Sequence, residues 1–514
     1  MLNQARQLIA STLTRAATFV AAADTPRRSV ASSLYDAGSQ TRRTTGWRAP
    51  TASANRAVLG SLNLLRDRSR AATRNDGYAK SVIDKLVTNI IGTGITPRSQ
   101  AADPVLRKRI NALWARWTWQ SDADGLLDWE GQTGQAVRTW LEGGECFARI
   151  RPRLPEDRLV VPLQVQLLEP ELCPHTHNDP SARIRAGIEF SPVGRRLAYW
   201  FHPSRPELDD FDASQLRRVS ATSVVHLYDP LRPGQLRGIP HLTPALVELH
   251  ELAKYRDAQL LRQQLANLFV GFVTKEPGAG TAESLHPLTG LPVETSTDNK
   301  PMLTLEPGIF QELGSGEDVK WSDPPDATGY ADFMRQQLYG VAAATGVPYE
   351  VMTGDMRQVN DRTVRVILNE FRRRIQAYQH QIVVFQLCQP VWAAWFEAAY
   401  LSGALELPAD YLRNREAYEA VVWNPQAFPY IHPVQDVEAQ ERRVRAGFTS
   451  RAAVVADQGD DIETVDAEQA ADNERADGLG LRYDSDGRTT KAAASQGASE
   501  PDPSPTPQPE GATA

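Results

Sequence analysis

Apolar residues recur at helical spacing over the longest regular stretch of the chain, Asn360 to Gly403. Val364, Phe371, Tyr378 and Phe385 stand seven residues apart, with Leu368, Ile375 and Ile382 between them. That is the period of a helix burying one stripe. At about 1.5 Å per residue, the part before Pro390 is roughly 45 Å long. Asn360 or Asp361 is placed to cap its start. Pro390 lacks an amide donor and clashes with the preceding turn, which predicts a kink, and Gly403 predicts the end. A helix this long predicts a spine, with neighbours or copies of itself against it.

The rest of the pattern changes character along the chain. Residues 52–91 read as helix with a break at Asn75–Gly77. Residues 103–119 place Leu106, Ile110, Leu113, Trp114 and Trp117 on one side of another helix. DADGLLD reads as a loop, with Asp128 capping a helix from Trp129 to Gly143. From Glu145 the period becomes two, and about ninety residues of strands are expected. Pro240 predicts the start of the next helix, with Leu242, Leu246, Leu249, Ala253, Leu260 and Leu268 on one face. Residues 269–325 are rich in glycine and proline, with short strand candidates FVGFVT, PMLTL and VKWSD, and predict a small protruding subdomain. A helix from Gly329 to Thr345 and a loop, GVPYEVMTGDMRQVN, lead into the spine. After Gly403 short helices are expected over Ala439–Gly447 and Ser450–Asp457, the latter capped by Thr449 or Ser450. Beyond about residue 466 the scarcity of large apolar residues predicts disorder.

The chain has 514 residues, 41% hydrophobic and 23% charged, as expected of a soluble globular protein of two to four structural units. Cys146, Cys173 and Cys388 lie too far apart in sequence to suggest a disulfide framework. No apolar run reaches about 18 residues, so no spanning helix is expected. The opening LIASTLTRAATFVAAAD has signal-like small residues, but Arg15 interrupts its apolar part, so an amphipathic arm is expected instead. The formal charge is −7, yet residues 451–514 carry 14 acidic and five basic side chains. The body is therefore near neutral, between a basic arm and an acidic tail. That distribution suggests protein partners at both ends and argues against a high-affinity nucleic-acid binder.

No phosphate-binding G-x-x-x-x-G-K-[ST] loop, no G-x-S-x-G elbow and no H-E-x-x-H pair occurs, which argues against an ATP-driven motor and the matching hydrolases. Cys173, His175 and His177 have metal-like spacing, but Pro174 and Pro180 point to a polar loop. Asp122, Asp124, Asp128 and Glu130 lack the twelve-residue calcium-loop pattern and read as a turn and a helix cap. Asp355, Asp361 and Glu370 are the carboxylates a metal-dependent nuclease would use, although Asp361 and Glu370 stand nine apart and do not face each other closely on a helix. The aromatic residues of 113–119 and 391–400 read as packing rather than base-stacking platforms, and Arg372–Arg374 as a solvated or inter-subunit helix face, with phosphate contact as the alternative.

The order of these elements resembles the lambda-type portal proteins of tailed phages from about Tyr35 to Asp461. SANR (53–56), RNDGYAKSVIDKLVTNIIGTGI (74–95), DADG (122–125) and GGECFAR (143–149) carry the first part. VPLQVQLLEPELC (161–173), GIEFSPVGRRLAYWF (187–201) and VVHLYDPLRPGQLRGIPHLTPAL (224–246) carry the second. The most specific piece is GYADFMRQQLYGVAAATGVPYEVMTGD (329–355) followed by V-N-x-x-x-x-R (359–365). CQPVWAAWFEAAYLSG (388–403) and WNPQAFPYIHPVQDVEAQERRVRAGFTSR (423–451) complete it. After Val359–Asn360 the family pattern has an aromatic and small hydroxyl residues where Asp361 and Arg362 stand here.

The resemblance implies an α+β portal fold, mainly helical, with a β-rich wing and a small clip, assembled as a dodecameric ring around a central channel. It divides the chain into an arm (1–49), a wing (50–238), a stem helix (239–268), a clip (269–325) and a second stem helix (326–345). A tunnel loop (346–360), the long kinked wing helix (361–403), a crown (404–465) and a disordered acidic tail (466–514) follow. The ring would sit at the capsid vertex of a virion assembled in the host cytoplasm, and double-stranded DNA would pass through it without sequence-specific contacts. Its partners would be terminase, the major capsid and scaffolding proteins, and head-completion or connector proteins, with no cofactor, metal, catalytic residue or membrane. Asp332, Gln336 and Tyr339, on one polar face of a stem helix, are channel candidates. Thr353, Asp355, Arg357 and Gln358 are tunnel-loop candidates, and Lys275, Glu276, Glu317 and Lys320 are clip candidates for terminase docking. Twelve helices about 10 Å apart on a circle give a centre-line diameter of about 38 Å. Subtracting one helix leaves a lumen of roughly 28 Å, wide enough for duplex DNA. Two other readings stay open at this stage: a metal-dependent nuclease of a packaging system using Asp355 or Asp361, and a head adaptor or scaffold-binding protein that forms no ring.

Overall fold

A computed structural model of the chain describes residues 42, 46, 51–203, 212, 215–267, 271–275, 317–321, 329–357, 359–430, 432–483 and 488. The amphipathic arm, Glu276, most of the glycine- and proline-rich excursion, Gln358 and most of the tail after residue 483 lie outside the described residues. The chain divides into two compact units, Met1–Ala57 and Val58–Ala514. In the first, Ser53 Oγ accepts the Arg56 amide at 3.2 Å as helix α1 (Ala54–Leu59) begins.

The second unit mixes helix and sheet. Helices α2 (Leu62–Asn75) and α3 (Gly77–Ile90) meet at Asp76, whose side chain accepts the Tyr78 and Ala79 amides. This is the break that Asn75–Gly77 predicts. Strand β1 (Ile95–Ser99), α4 (Pro104–Thr118) and α5 (Trp129–Gly143) follow, with Asp103 and Asp128 as N-caps. The region of period two forms two antiparallel sheets. One has the order β3–β2–β8, from β2 (Glu145–Pro152), β3 (Leu163–Leu168) and β8 (Val224–Tyr228). The other runs β4–β5–β6–β7, from Ile184–Arg185, Ile188–Phe190, Arg196–Phe201 and Arg217–Ser220. Phe147 joins them: it projects from β2 into a small core with Ile188, Phe190, Tyr199, Phe201 and Val224.

The main core runs from α3, α4 and α5 through β2 and β3 to the long helix. Its densest part is aromatic. Trp114 lies within 4.7–6.2 Å, centroid to centroid, of Trp117, Trp129, Trp392, Trp395 and Trp423. Trp117, Trp392 and Trp395 are fully buried, so these rings are packing, as their helical spacing predicts.

Several expectations need correction. The helix expected from Pro240 begins at Leu246, as α6 (Leu246–Asn267). Residues 240–245 instead make three-residue turns, Thr243 to Pro240 and Ala245 to Leu242. Helix α7 (Tyr330–Thr345) stands where expected, but the following loop contains a packed helix, α8 (Tyr349–Thr353). Strands β9 (Gly271–Lys275) and β10 (Glu317–Trp321) pair as a hairpin across the excursion.

The spine is helical from Asp361 to Leu401. It comprises α9 (Asp361–Tyr378), a ten-residue π-helical stretch (Gln379–Cys388) and α10 (Gln389–Leu401). The distortion associated with Pro390 therefore lies in the residues before it. The wider i→i+5 turn also breaks the seven-residue repeat: Phe371 is buried, whereas Phe385 is 72% exposed. Two glutamines of this stretch replace missing backbone partners. Gln379 Nε2 donates to the Ile90 carbonyl at the end of α3, at 2.9 Å. The Gln386 amide bonds both N–H and C=O of Tyr228, at 3.0 Å each, closing the free edge of β8 as another strand would. By length and composition this helix passes as a membrane span, contrary to the sequence expectation, yet half of its apolar window is buried within the fold, as in a core helix.

Helix α11 (Arg415–Glu419) and β11 (Val421–Pro425, paired with β1) precede three solvent-facing helices, α12 (Pro433–Arg445), α13 (Arg451–Asp457) and α14 (Ile462–Gly478). Ser450 caps α13, as expected. Helix α14 corrects the expected onset of disorder at residue 466. Asp461 caps it and alanine, glutamate and aspartate fill it, but it buries no side chain.

Candidate functional site

Helix α7 has two faces. Met334, Leu338, Val341, Ala342 and Thr345 are buried. Asp332, Gln336 and Tyr339 are exposed together on the other side. The polar face expected from the sequence is thus open to solvent in the subunit. Its companion α6 touches it through Tyr255, whose ring lies 5.8 Å from Tyr330 and 4.8 Å from Phe333. Gly340 lets the helices approach closely, because a Cβ there would stand 2.5 Å from a Glu248 carboxylate oxygen.

The C-terminus of α7 is fixed by groups from elsewhere. The ring Nε2 of His241 lies 2.8 Å from the Thr345 carbonyl, and burial pushes the imidazole pKa down, so the neutral ring donates that bond. Gly346 follows with φ +70°, and a Cβ there would collide with the Arg374 guanidinium at 1.2 Å. Arg374 therefore rests against the negative end of the α7 dipole. Arg372 donates to the Pro429 carbonyl at 3.0 Å and covers the Phe428 ring at 4.9 Å. Arg373 is 79% exposed and reaches Glu370 of its own helix at 3.5 Å. All three members of the arginine cluster thus make contacts within the subunit.

The segment after Gly346 is knotted around Asp355. Arg357 grips both carboxylate oxygens, at 2.8 and 2.9 Å, and Tyr349 Oη donates at 3.0 Å. Arg335 of α7 approaches to 3.7 Å. The Arg357 side chain first, then its backbone N–H and the Tyr349 hydroxyl, hold Asp355 well below the usual carboxylate range. Thr353 Oγ1 donates to the Tyr349 carbonyl at 2.8 Å and accepts the Asp355 amide at 3.2 Å. Helix α8 is anchored by Ser81 of α3, which donates to the Met352 carbonyl at 2.7 Å. The irregular part of the segment therefore shrinks to Val347, Pro348 and the residues after Gly354. Tyr339 and Tyr349 touch at 4.8 Å, joining the exposed face of α7 to this knot. Of the clip candidates, Lys275 ends β9 directly opposite Glu317 at the start of β10, and Lys320 pairs with Phe272.

The nuclease carboxylates do not converge. Asp355 is engaged as above, Asp361 bonds the His432 ring at 2.8 Å, and Glu370 pairs with Arg373 at 3.5 Å. Among the described residues no group of three or more histidine, cysteine or acidic side chains could hold a metal ion. Cys173 is buried with its thiol 3.8 Å from the Gly187 carbonyl, and Cys146 and Cys388 are also buried and free. Asp122 accepts the amides of Asp124, Leu126 and Leu127, so this acidic run closes a turn.

Sequence reasoning missed the charged knot at Glu145. This fully buried carboxylate takes Arg66 at 2.5 Å, Arg237 Nε at 2.7 Å, His226 Nε2 at 2.8 Å and the Gly238 amide at 3.0 Å. Burial alone would raise it, but Arg237, then Arg66 and the His226 bond, hold it well below the carboxylate range. His226 is pushed down to about 4, first by burial. It is therefore neutral, with Nε2–H donating to Glu145 and Nδ1 accepting from Arg196 at 3.2 Å. Gly144 (φ +90°) and Gly238 let two backbones cross: a Cβ on Gly144 would meet Ile239 at 2.6 Å, and one on Gly238 would meet the Gly144 carbonyl at 1.9 Å. The knot thus ties α2, β2 and β8 to the segment that delivers α6. GGE and RGIP were visible as motifs, but nothing in their spacing signalled that they touch.

Comparison with known proteins bears on this arrangement. The chain is 25% identical over 463 residues to the probable portal protein of Halomonas phage phiHAP-1, covering 86% of each. It is 21% identical over 483 residues to the portal protein of Escherichia phage N15, covering 85% of this chain and 88% of the relative. The same identity holds over 484 residues with portal protein B of Escherichia phage lambda, again covering 85% and 88%. Among solved structures, a chain of the neck of an empty gene transfer agent particle, computed with C6 symmetry, aligns with TM-score 0.42 and 14% identity, over 76% of this chain and 92% of that one. The family described as phage portal protein, lambda family, matches residues 40–379. The chain belongs to the lambda family of phage portal proteins.

Proposed function

We propose that this chain is one subunit of a portal ring at a single capsid vertex, through which double-stranded DNA is packaged and later ejected. The observation that carries this reading is the family match across residues 40–379. In this reading twelve copies place α6 and α7 around the channel as the stem. Asp332, Gln336 and Tyr339 face the DNA, and Arg357 and Gln358 follow at the tunnel loop. The exposed polar face of α7 and its contact with the Asp355 knot support that placement. A face of acidic and neutral side chains such as Asp332, Gln336 and Tyr339 suits a polymer that must slide, since a basic wall would bind phosphates strongly. The hairpin β9–β10 belongs to the clip, where Lys275, Glu276, Glu317 and Lys320 meet terminase and later the head-completion proteins. The ring acts by assembly rather than by catalysis, in a virion assembled in the host cytoplasm with capsid and scaffolding proteins.

Electron microscopy of the purified protein tests the reading. Rings with a central hole are expected, and a population without rings at every salt concentration refutes it. Incubation with plasmid and Mg²⁺ or Mn²⁺ tests the absence of catalysis. Cleavage that disappears in Asp355→Ala refutes that part.

A further inference from the structure

One face of the β3–β2–β8 sheet carries a row of charge that none of the roles above uses. Side chains alternate across a strand, so Arg149 and Arg151 of β2, and Arg153 just beyond it, stand on the same face as Phe147. At Phe147 that face is covered by the second sheet. Beyond it the three arginines are half-buried and reach solvent. Alternate strand residues lie roughly 6.8 Å apart, so the row is about 14 Å long. Arg217, at the start of β7, lies near its inner end. Burial, and then the charges of Arg151 and Arg217, push the Arg149 guanidinium down.

Among the described residues no carboxylate pairs with any of the four, and one hydrogen bond serves them all, from Arg151 to Gln166 Oε1 at 3.2 Å. The Nε of Arg153 is buried without a partner. Two other arginines of these sheets are better served: Arg218 grips Glu189 at 2.7 and 3.0 Å, and Arg196 donates to the hydroxyls of Tyr199 and Tyr228 at 3.1 and 2.8 Å. Three like charges on one sheet, with Arg217 of the second sheet beside them, repel one another, and an anion would relieve that repulsion.

We propose that Arg149, Arg151, Arg153 and Arg217 form a phosphate-binding row that takes the sugar–phosphate backbone of a nucleic acid without reading its sequence. The guanidinium fork fits phosphate through two parallel hydrogen bonds. A row of evenly spaced cations suits a polymer of evenly spaced anions. The β3 residues opposite the row, Gln164 and Gln166, are polar, and the β8 residue opposite Arg149, Val224, is buried, so this face offers no open apolar pocket to seat a peptide side chain. An acidic protein segment is the alternative occupant, and the test separates the two.

The probe is a covalently closed circular duplex, which cannot thread a ring that is already assembled. Its capture therefore reports the outer surface whether or not the protein forms rings. Filter binding of the full-length protein is measured from 50 to 200 mM salt, with a closed single-stranded circle as a second arm. Four phosphate contacts give a log–log salt slope of about −3.6, a loss of roughly 150-fold across that range. The double variant Arg149→Gln/Arg151→Gln should lower the slope to about −1.8, a loss of roughly 12-fold. Arg149→Lys/Arg151→Lys, which keeps the charge, should retain the wild-type slope. The ratio of duplex to single-stranded capture identifies the preferred form. An unchanged slope in the glutamine variant, with the lysine variant folded, overturns the proposal. So does capture of poly-glutamate by a protein that does not retain either circle at 50 mM salt.

Discussion

Replacing Glu145 by glutamine tests the buried knot most directly. Arg66 and Arg237 are 1% and 0% exposed, and the substitution leaves both without their shared counter-charge. A glutamine carbonyl could still accept from the arginines, but its amide would then face His226 Nε2–H and the Gly238 N–H, donor against donor. A change of His226 tautomer only moves the conflict to Arg196, 3.2 Å from Nδ1. Removing one partner from a buried ion pair costs about 3–5 kcal/mol. At roughly 2 °C per kcal/mol for a large domain, the melting temperature should fall by about 6–10 °C. The control is Glu189→Gln. Its partner Arg218 is 49% exposed, so the pair is worth at most about 1 kcal/mol. Circular dichroism melts of both variants against the parent read the difference. If Glu145→Gln moves the transition no further than Glu189→Gln, the arginines are reached by water or counter-ions and the knot does not hold the fold.

Acid should loosen the same knot. His226 titrates near 4 in the folded chain and near 6.5 unfolded, so the unfolded state binds more protons between these values. Stability is then full above about pH 6.5 and declines towards pH 4, with Glu145 adding its own loss as pH falls further through its depressed folded value. Melts of His226→Gln should be flatter over pH 4–6.5, and an equal slope in both proteins would refute the assignment. Trp395→Ala opens a cavity in the tryptophan cluster and should cost about 3–5 kcal/mol, read by urea denaturation followed through tryptophan fluorescence; a loss below 1 kcal/mol would mean that the cluster repacks. Arg357→Ala releases Asp355 but touches no core residue, so it should impair DNA packaging or retention while rings still form. A pure assembly defect would contradict that role.

Much of the fold was legible because it rests on local chemistry. Helix caps at Asp128, Asn360 and Ser450 use side chains within a few residues of the amides they bind. The polar face of α7, including Asp332, Gln336 and Tyr339, follows from period alone. Period also marked Phe371 and Ile375 as buried. It failed at Phe385, because the π-helical turns change the phase and no local rule foretells them. Propensity arguments likewise missed α8, whose Tyr349 and Met352 are held by burial in the core, and α14, which forms without burying a side chain.

What only the tertiary structure decided involves residues far apart in the chain. Glu145 meets Arg66 and Arg237 across 79 and 92 residues, and Gln386 reaches Tyr228 across 158. Sequence pattern reports which face of an element is apolar, because that depends on the repeat of a few neighbouring residues. It does not report which polar groups meet when faces close, because that depends on crossing points set by the whole core. The order of motifs determined the family, and the local pattern determined the spine. The closed fold decided that the spine's glutamines seal a sheet edge, that Arg374 braces α7, and that four arginines gathered from two sheets have no carboxylate partner among the described residues.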